Sequence, residues 1–444
     1  MTPAAMLSTS KLNSNYRIKY GPWIDALPEI NTLASKLPFK QQGKLGERYR
    51  VPFLSGIEHG HTASRSGGLF TFRPAIGAES GFAELDGSTI VMRSQFSWDE
   101  IYASLGENDL EATGNSRAYQ DIMSLKLKAQ GLGASLYRDI ALAYGPGAGA
   151  VAAANIGVVK TTSAGDLSIV RNVFLTKASW IRGLWPTMRN ALVDIYQSDG
   201  STIRSTNVQI YGVPNQNKTQ IAIGPSTNTD APTGTPAAVV AANDIIVPAG
   251  WKGNSCIGLE AVMLTQTGTL WEVDISQISQ MRTLSFDALN GPLTRKLIRE
   301  WGAMIADNKS KMGGDLMCCG SAFAALAEEY SGVNRDLSQG GVKKQGESSL
   351  VFETPAGDIN VQVWDLAKQG EVIYLAKSSR AYRVGTTDNT MRPIKGLNEG
   401  FLTPLTDKSG CQTLSFSNQA PFCDQNWHNF IVRNVVSPGD VADV

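Results

Sequence analysis

The sequence is poor in the groups that most enzymes use near neutral pH. Its 444 residues hold three histidines, His59, His61 and His428, which leaves little scope for acid–base catalysis. No Gly-x-Ser-x-Gly elbow and no His-Glu-x-x-His pair occurs. His59-Gly60-His61 beside Glu58 lies in a glycine-rich stretch without further ligands, so no metal is expected there. Charge is scarce too: 18% of residues are charged, against about 25% in an average soluble domain. Either small uncharged polar groups make up the difference, with glycine alone at 44 residues, or much of the surface is buried against other copies. Forty basic residues balance 40 acidic ones, which disfavours a sequence-specific reader of DNA. No run of about 18 apolar residues occurs, so no membrane span is expected. Met1 to Tyr20 lacks the apolar centre of a signal peptide, and the sequons at Asn217 and Asn308 therefore carry no weight.

The five cysteines are Cys256, Cys318, Cys319, Cys411 and Cys423. The adjacent pair Cys318-Cys319 cannot readily form an unstrained disulfide, and no Cys-x-x-Cys occurs, so buried reduced thiols are expected. The run Gly145-Pro146-Gly147-Ala148-Gly149-Ala150 follows a helix and lacks a Lys-Ser/Thr ending. Phosphate cradles join a strand to a helix N-terminus, so this run reads as a flexible link. Glu328-Glu329 is expected to be a solvated helix face. No catalytic constellation and no cofactor site emerges.

What the chain does have is ordered structure of changing type. Residues 1–57 read as an irregular arm broken by Pro22, Pro28, Pro38 and Pro52. Its first 50 residues carry Lys11, Arg17, Lys19, Lys36, Lys40, Lys44, Arg48 and Arg50 against Asp25, Glu29 and Glu47, an excess of five positive charges. Either this is a solvated arm with ordinary surface charge, or it lies near a polyanion. In residues 58–100, Gly67-Gly68 precedes Leu69–Pro74, and Asp86-Gly87 precedes Ile90–Phe96 with Ile90, Met92 and Phe96 on one face. That pattern predicts a long two-stranded ribbon with a glycine-rich tip, which needs a neighbour to lie upon. Over 115–145, Ile122, Leu125, Ala129, Leu132, Leu136, Ile140 and Ala143 form one apolar stripe, predicting a helix. Gly131 and Gly133 inside it mark a bend or a close packing contact.

From 146 to 275 strands are expected at Ala191–Tyr196, Asn207–Tyr211, Gln220–Ile223, Ile245–Val247 and Ala261–Leu264, with a hairpin at Ser198-Asp199-Gly200 and a loop over 225–236. A second α/β unit starts near Asn290. There Pro292 suits a first helical turn, followed by an apolar stripe of Leu293, Leu297, Trp301 and Met304 or Ile305. A strand at Asp315–Met317, a helix from Ser321 through Phe323, Leu326 and Tyr330, a polar loop over 333–349, and strands at Ile359–Trp364 and Val372–Leu375 complete it.

This order of elements resembles the tailed-phage major capsid fold, an α+β architecture. Two strings add to the likeness. Met92–Leu105 is similar to the family's passage from ribbon to helix, and Leu270–Ile275 with Leu284–Phe286 resembles its approach to the second unit. The resemblance implies an N-terminal arm at 1–57, an E-loop at 58–110 and a peripheral domain at 111–289. Within the peripheral domain it places a spine helix at 115–145 and a β-rich insertion at 165–255. An axial domain at 290–400 and a C-terminal return to the peripheral domain over 401–444 follow.

The resemblance further implies a non-enzymatic building block of an icosahedral shell around a double-stranded DNA genome, assembled in the host cytoplasm and residing in the virion capsid. Copies of the chain, as hexamers and pentamers, would be its main partners. Packaged DNA, a separate scaffolding protein, a portal and decoration proteins would be others, with no membrane. The arm cations would face DNA. Leu69, Phe70, Phe72, Arg73, Phe82, Ile90, Met92 and Arg93 would form the E-loop and its contacts with neighbouring copies, and Gly131 and Gly133 would let the spine bend. Some family members cross-link an E-loop lysine to a neighbour's asparagine, but no lysine occurs between Lys44 and Lys126, so no cross-link is expected. Some carry a scaffolding segment of their own ahead of the arm, for which this sequence has no room, so either a separate scaffold or an upstream segment outside this sequence is expected. An encapsulin-like shell enclosing cargo protein, and a cytosolic two-domain enzyme, are the alternative readings.

Overall fold

A computed structural model describes residues 33–56, 61–62, 74, 77, 80–97, 115–147, 155–162, 167–215, 217–226, 240–334, 349–390, 403–404 and 409–440. A 3-10 turn at Leu33–Ser35 leads to β1 (Phe39–Gln41), β2 (Tyr49–Leu54), β3 (Ser80–Leu85) and β4 (Ser88–Ser97). The long helix α1 (Asn115–Tyr144) is followed by β5 (Gly157–Thr162), β6 (Arg171–Leu175), β7 (Leu192–Tyr196), β8 (Ile203–Gly212), β9 (Gln220–Gly224) and β10 (Ile245–Pro248). Then come α2 (Leu259–Leu264), the two-residue strands β11 (Thr269–Leu270) and β12 (Val273–Asp274), and β13 (Leu284–Asp287). The chain continues through α3 (Arg295–Asp307), β14 (Gly314–Cys318), α4 (Gly320–Asn334), β15 (Ser349–Thr354), β16 (Gly357–Val363) and β17 (Val372–Ala376). It ends in β18 (Ala381–Thr390), β19 (Thr403–Pro404), β20 (Gly410–Cys423) and β21 (Phe430–Arg433).

The β-rich middle closes on itself. β10, β5, β6, β9, β8 and β7 form a six-stranded barrel, and Val159, Val173, Val193, Ile195, Ile210 and Ile221 are buried among its strands. Closure removes free edges, and register shifts in the β5–β6, β7–β8 and β8–β9 pairs supply local bending. The β7–β8 hairpin turns where the sequence places it. Asp199 accepts hydrogen bonds from the Ser201 and Thr202 amides, both at 3.0 Å, an arrangement that fixes the turn without a type I′ sequence.

The α/β unit is a six-stranded mixed sheet in the order β13-β21-β17-β14-β16-β15. Its aromatic centre stacks Tyr374 on Phe430 at 4.6 Å and Phe286 on Trp301 at 5.4 Å. α3 begins at Arg295 rather than at Pro292, because the Thr294 hydroxyl caps it by accepting from the Leu297 amide at 3.4 Å. Leu293 and Trp301 are buried and Ile305 closes the stripe, while Met304 is exposed. Ala261–Leu264 is helical (α2), not a strand. An apolar run this short carries no period that separates the two, and the helix buries Leu259, Val262 and Met263.

Of the two limbs expected for the ribbon, Leu69–Pro74 lies outside the described residues except for Pro74. Among the described residues β2 and β3 form a ribbon, with Tyr49 opposite Leu85 and Leu54 opposite Ser80. β3 and β4 do not pair; Asp86-Gly87 passes the chain from the ribbon to another sheet. There β4 runs antiparallel to β20 over ten residue pairs, from Ser88↔Gln419 to Ser97↔Gly410. β20 also pairs with β18 and β19, and β18 with β1. The alternation in β4 is real: Ile90 and Met92 are half-buried and Phe96 buried, with Thr89, Val91, Arg93 and Gln95 exposed. Its apolar face lies on α1, which a free ribbon would have left in water. The C-terminal stretch divides between two units, β20 joining this sheet and β21 the α/β sheet.

Gly145 and Gly147 are packed rather than loose. The Gly258 amide donates to the Gly145 carbonyl at 2.8 Å, and the Gly253 amide to the Gly147 carbonyl at 2.8 Å. A Cβ at Gly145 would lie 2.3 Å from the Cys256 carbonyl oxygen. The described part of the glycine-rich run is therefore a clasp against residues 253–258. All five cysteines are buried and free.

Candidate assembly surface

The ribbon is anchored at its root and exposed at its outer end. Tyr49, Val51, Ala83 and Leu85 are buried, whereas Leu54 and Phe82 are 61% and 65% exposed. Arg48 holds the root in place, 2.7 Å from Glu272 and 2.9 Å from Asp86, while Arg50 pairs with Glu84 at 2.7 Å. Glu272 is presented by an unusual turn in which Trp271 and Glu272 both have positive φ, 53° and 62°. Side chains with a Cβ rarely adopt that region. The Trp271 ring packs on Phe422 at 4.8 Å, and its carbonyl accepts from the Glu84 amide at 2.9 Å, contacts that hold the turn in place. Of the residues expected in the loop between neighbouring copies, Phe82 is on the ribbon, and Ile90, Met92 and Arg93 are on β4. Leu69, Phe70, Phe72 and Arg73 lie outside the described residues.

The described part of the arm is seated against the body. Asp139 on α1 accepts from the Leu33 and Ala34 amides at 2.7 and 3.4 Å. Arg383 donates to the Leu37 carbonyl at 2.8 Å, and β1 runs parallel to β18. Burial pushes the Asp139 carboxyl up to about 6, against the opposing pull of Arg138 and the two amides. Five of the arm cations thus acquire local partners. Arg48 and Arg50 meet carboxylates, Lys36 lies 3.9 Å from Asp315, and Lys40 and Lys44 sit over the Tyr382 and Tyr49 rings. Composition left these charges open as ordinary surface charge or as a contact with a polyanion; each of the five has a partner within the chain. Lys11, Arg17 and Lys19 lie outside the described residues.

α1 runs unbroken for 30 residues through Gly131 and Gly133. A Cβ at Gly133 would approach the Met92 methyl to 2.9 Å, so this glycine admits a side chain of β4. Beside it Gln130 donates to the Met92 and Thr413 carbonyls at 2.8 and 3.1 Å and accepts from the Thr413 hydroxyl at 2.7 Å. The helix is stapled to β4 and β20. Leu136, Ile140 and Ala143 are buried as the stripe predicts, whereas Ala129 is exposed; the side chains of Ile122 and Leu125 lie outside the description.

One cluster had no sequence signal. Lys368, from the segment between β16 and β17, donates to Glu260 on α2, and both are almost wholly buried. Lys368 also lies 4.8 Å from the Tyr144 ring, whose hydroxyl donates to the Leu366 carbonyl at 2.5 Å. Burial raises the Glu260 carboxyl well above its usual range, and Glu371 alongside raises it further. The cluster ties the end of α1 and α2 to the α/β unit, and its role is cohesion.

No protein-family profile matches the sequence, and no curated protein matches it. Solved structures do. The capsid of cyanophage A-1(L) superposes with a TM-score of 0.50 at 10% identity, over 94% of this chain and 97% of the other. The capsid of a native GTA particle gives 0.44 at 6% identity, over 98% and 100%. The holo-SrpI encapsulin complex of Synechococcus elongatus gives 0.39 at 9%, over 97% and 96%. Across nearly its whole length, the chain has the mixed α/β fold of a phage capsid protein.

Proposed function

We propose that this chain is the building block of an icosahedral shell that encloses a double-stranded DNA phage genome, with no enzymatic role of its own. The observation that carries the reading is the exposed outer end of a ribbon whose root is rigidly anchored, on a chain with the capsid fold. Leu54 and Phe82 present apolar surface that a neighbouring copy would cover, at about 25 cal/mol per Å² of apolar area buried. β2 and β3 then act as the E-loop, α1 as the spine helix, the barrel as an insertion in the peripheral domain, and the α/β unit as the axial domain. Copies meet as hexamers and pentamers. A scaffolding protein, a portal and decoration proteins complete the assembly, which forms in the host cytoplasm.

Negative-stain microscopy of the purified chain, alone and with its scaffold, tests the proposal. Closed particles carrying nuclease-protected DNA when recovered from infected cells are the expected outcome. A chain that stays monomeric under every condition overturns it, and particles filled with protein instead of DNA favour a cargo compartment.

A further inference from the structure

Between the seated arm and the α/β sheet lies a groove of about 440 Å³. Lys36, Lys40, Lys377 and Arg380 line it against one carboxylate, Asp315. All four cations are exposed and Asp315 is half-buried. Asp315 is already engaged, accepting from the side-chain amides of Asn360 and Gln362 at 3.3 and 3.4 Å, and its contact with Lys36 is long at 3.9 Å. Among the described residues no carboxylate pairs with Lys377 or Arg380. Lys40 lies 3.3 Å above the Tyr382 ring, which holds the ammonium at the groove without neutralising it.

The backbone is shaped for this arrangement. Lys377–Ser379 forms a 3-10 turn that ends on Arg380 with φ 49° and ψ 46°. That left-handed conformation is disfavoured for a residue with a Cβ, and such outliers concentrate at functional sites. Lys377 and Arg380, at the two ends of this turn, line the groove together with Lys36 and Lys40 from the arm. The arm and this turn are far apart in sequence, so the charge cluster exists only in the folded chain.

We infer that this groove binds a multiply charged phosphate group, taken from the phosphodiester backbone of a nucleic acid or from a free polyphosphate. Four cations lining one groove with a single engaged carboxylate suit several phosphate oxygens at once, with Arg380 able to bind two of them in parallel. The choice of DNA as the natural source rests on the shell reading above; the phosphate site itself does not. Contact of this kind is independent of sequence and weakens with salt.

The test uses the full, unassembled chain at low salt with two probes: a fluorescent DNA duplex of about 20 base pairs read by anisotropy, and inorganic tripolyphosphate read by calorimetry. The double variant Lys377→Glu/Arg380→Glu is compared with Lys296→Glu, a cation 83% exposed on α3. Loss of about tenfold or more in affinity for at least one probe, against less than about twofold for Lys296→Glu, is expected, with a shallower salt dependence. Loss for DNA alone identifies a phosphodiester, loss for tripolyphosphate alone a free polyphosphate, and loss for both the shared phosphate chemistry. Unchanged affinity for both probes, or an equal loss in Lys296→Glu, overturns the site. If the double reversal fails to fold by circular dichroism, Lys377→Gln with Arg380 intact is used, judged by the same comparison. A wild-type chain that never assembles but binds phosphate through these residues sinks the shell reading alone. Normal particles from a variant with wild-type phosphate affinity sink this site alone.

Discussion

Asp139 shows how a single buried group sets a pH response. Its folded carboxyl titrates at about 6, against roughly 4 in an unfolded chain. Between those values the folded chain keeps a proton that the unfolded chain has released, so stability falls as pH rises through the window. For a shift of about two units the loss is on the order of 3 kcal/mol, complete above about pH 6. Thermal melts of the unassembled chain from about pH 4 to 7 should show this decline, and Asp139→Asn should flatten it. Lys368 makes the opposite kind of residue. Replacing it with Met strands the buried Glu260 carboxyl and should destabilise by about 3 kcal/mol in chemical denaturation, with Lys368→Met/Glu260→Gln recovering part of the loss. Neither residue was legible in the sequence. Asp139 meets amides 106 and 105 residues away and Lys368 a carboxylate 108 residues away, and no local period records such pairings.

Elements were legible where their signal is local. The hairpin of β7 and β8, the buried strand β14 and the stripe of α3 follow from turn chemistry and periodicity. The partner of β4 did not, because alternation tells which face of a strand is buried but not which strand lies beside it. Glycines divide in the same way, since only the fold says what each one touches. At Gly133 an added Cβ meets the flexible end of Met92. The gain in helix propensity offsets that contact, so Gly133→Ala should change stability by less than about 1 kcal/mol. At Gly258 the Cβ would lie 2.5 Å from the Gly145 nitrogen and 2.6 Å from the Ala143 oxygen. Those are backbone atoms that cannot step aside, so Gly258→Ala should destabilise by at least about 2 kcal/mol. Parallel urea titrations of the two variants would rank them.

At the scale of the whole molecule, assembly should depend on the ribbon and folding should not. Leu54→Glu/Phe82→Glu places charge on exposed positions, so the isolated chain should melt within a few degrees of wild type while particle yield collapses. A variant that assembles normally would remove the ribbon from the contact. Denaturing gels of intact particles should show single chains and no ladder, since no lysine lies between Lys44 and Lys126. The general architecture was legible from element order, which survives where sequence identity has fallen to 10%. The closed barrel was visible only as a surplus of strands, because closure depends on β10 meeting both β5 and β7.

The long strand β20 has a mechanical meaning as well. The ribbon enters β4 at Ser88, and β20 parts from β4 at Gln419, the partner of Ser88, keeping its pairing with β18 to Cys423 before the chain reaches β21. A pull between the two therefore reaches both strands at one end and peels their hydrogen bonds in turn instead of shearing them together. At that fork Asn418 accepts from the Tyr49 hydroxyl and donates to Thr89, both at 2.6 Å. In a shell strained outward by its contents, the first bonds to bear load would be these side-chain contacts, and Asn418 is the point from which tearing would have to start.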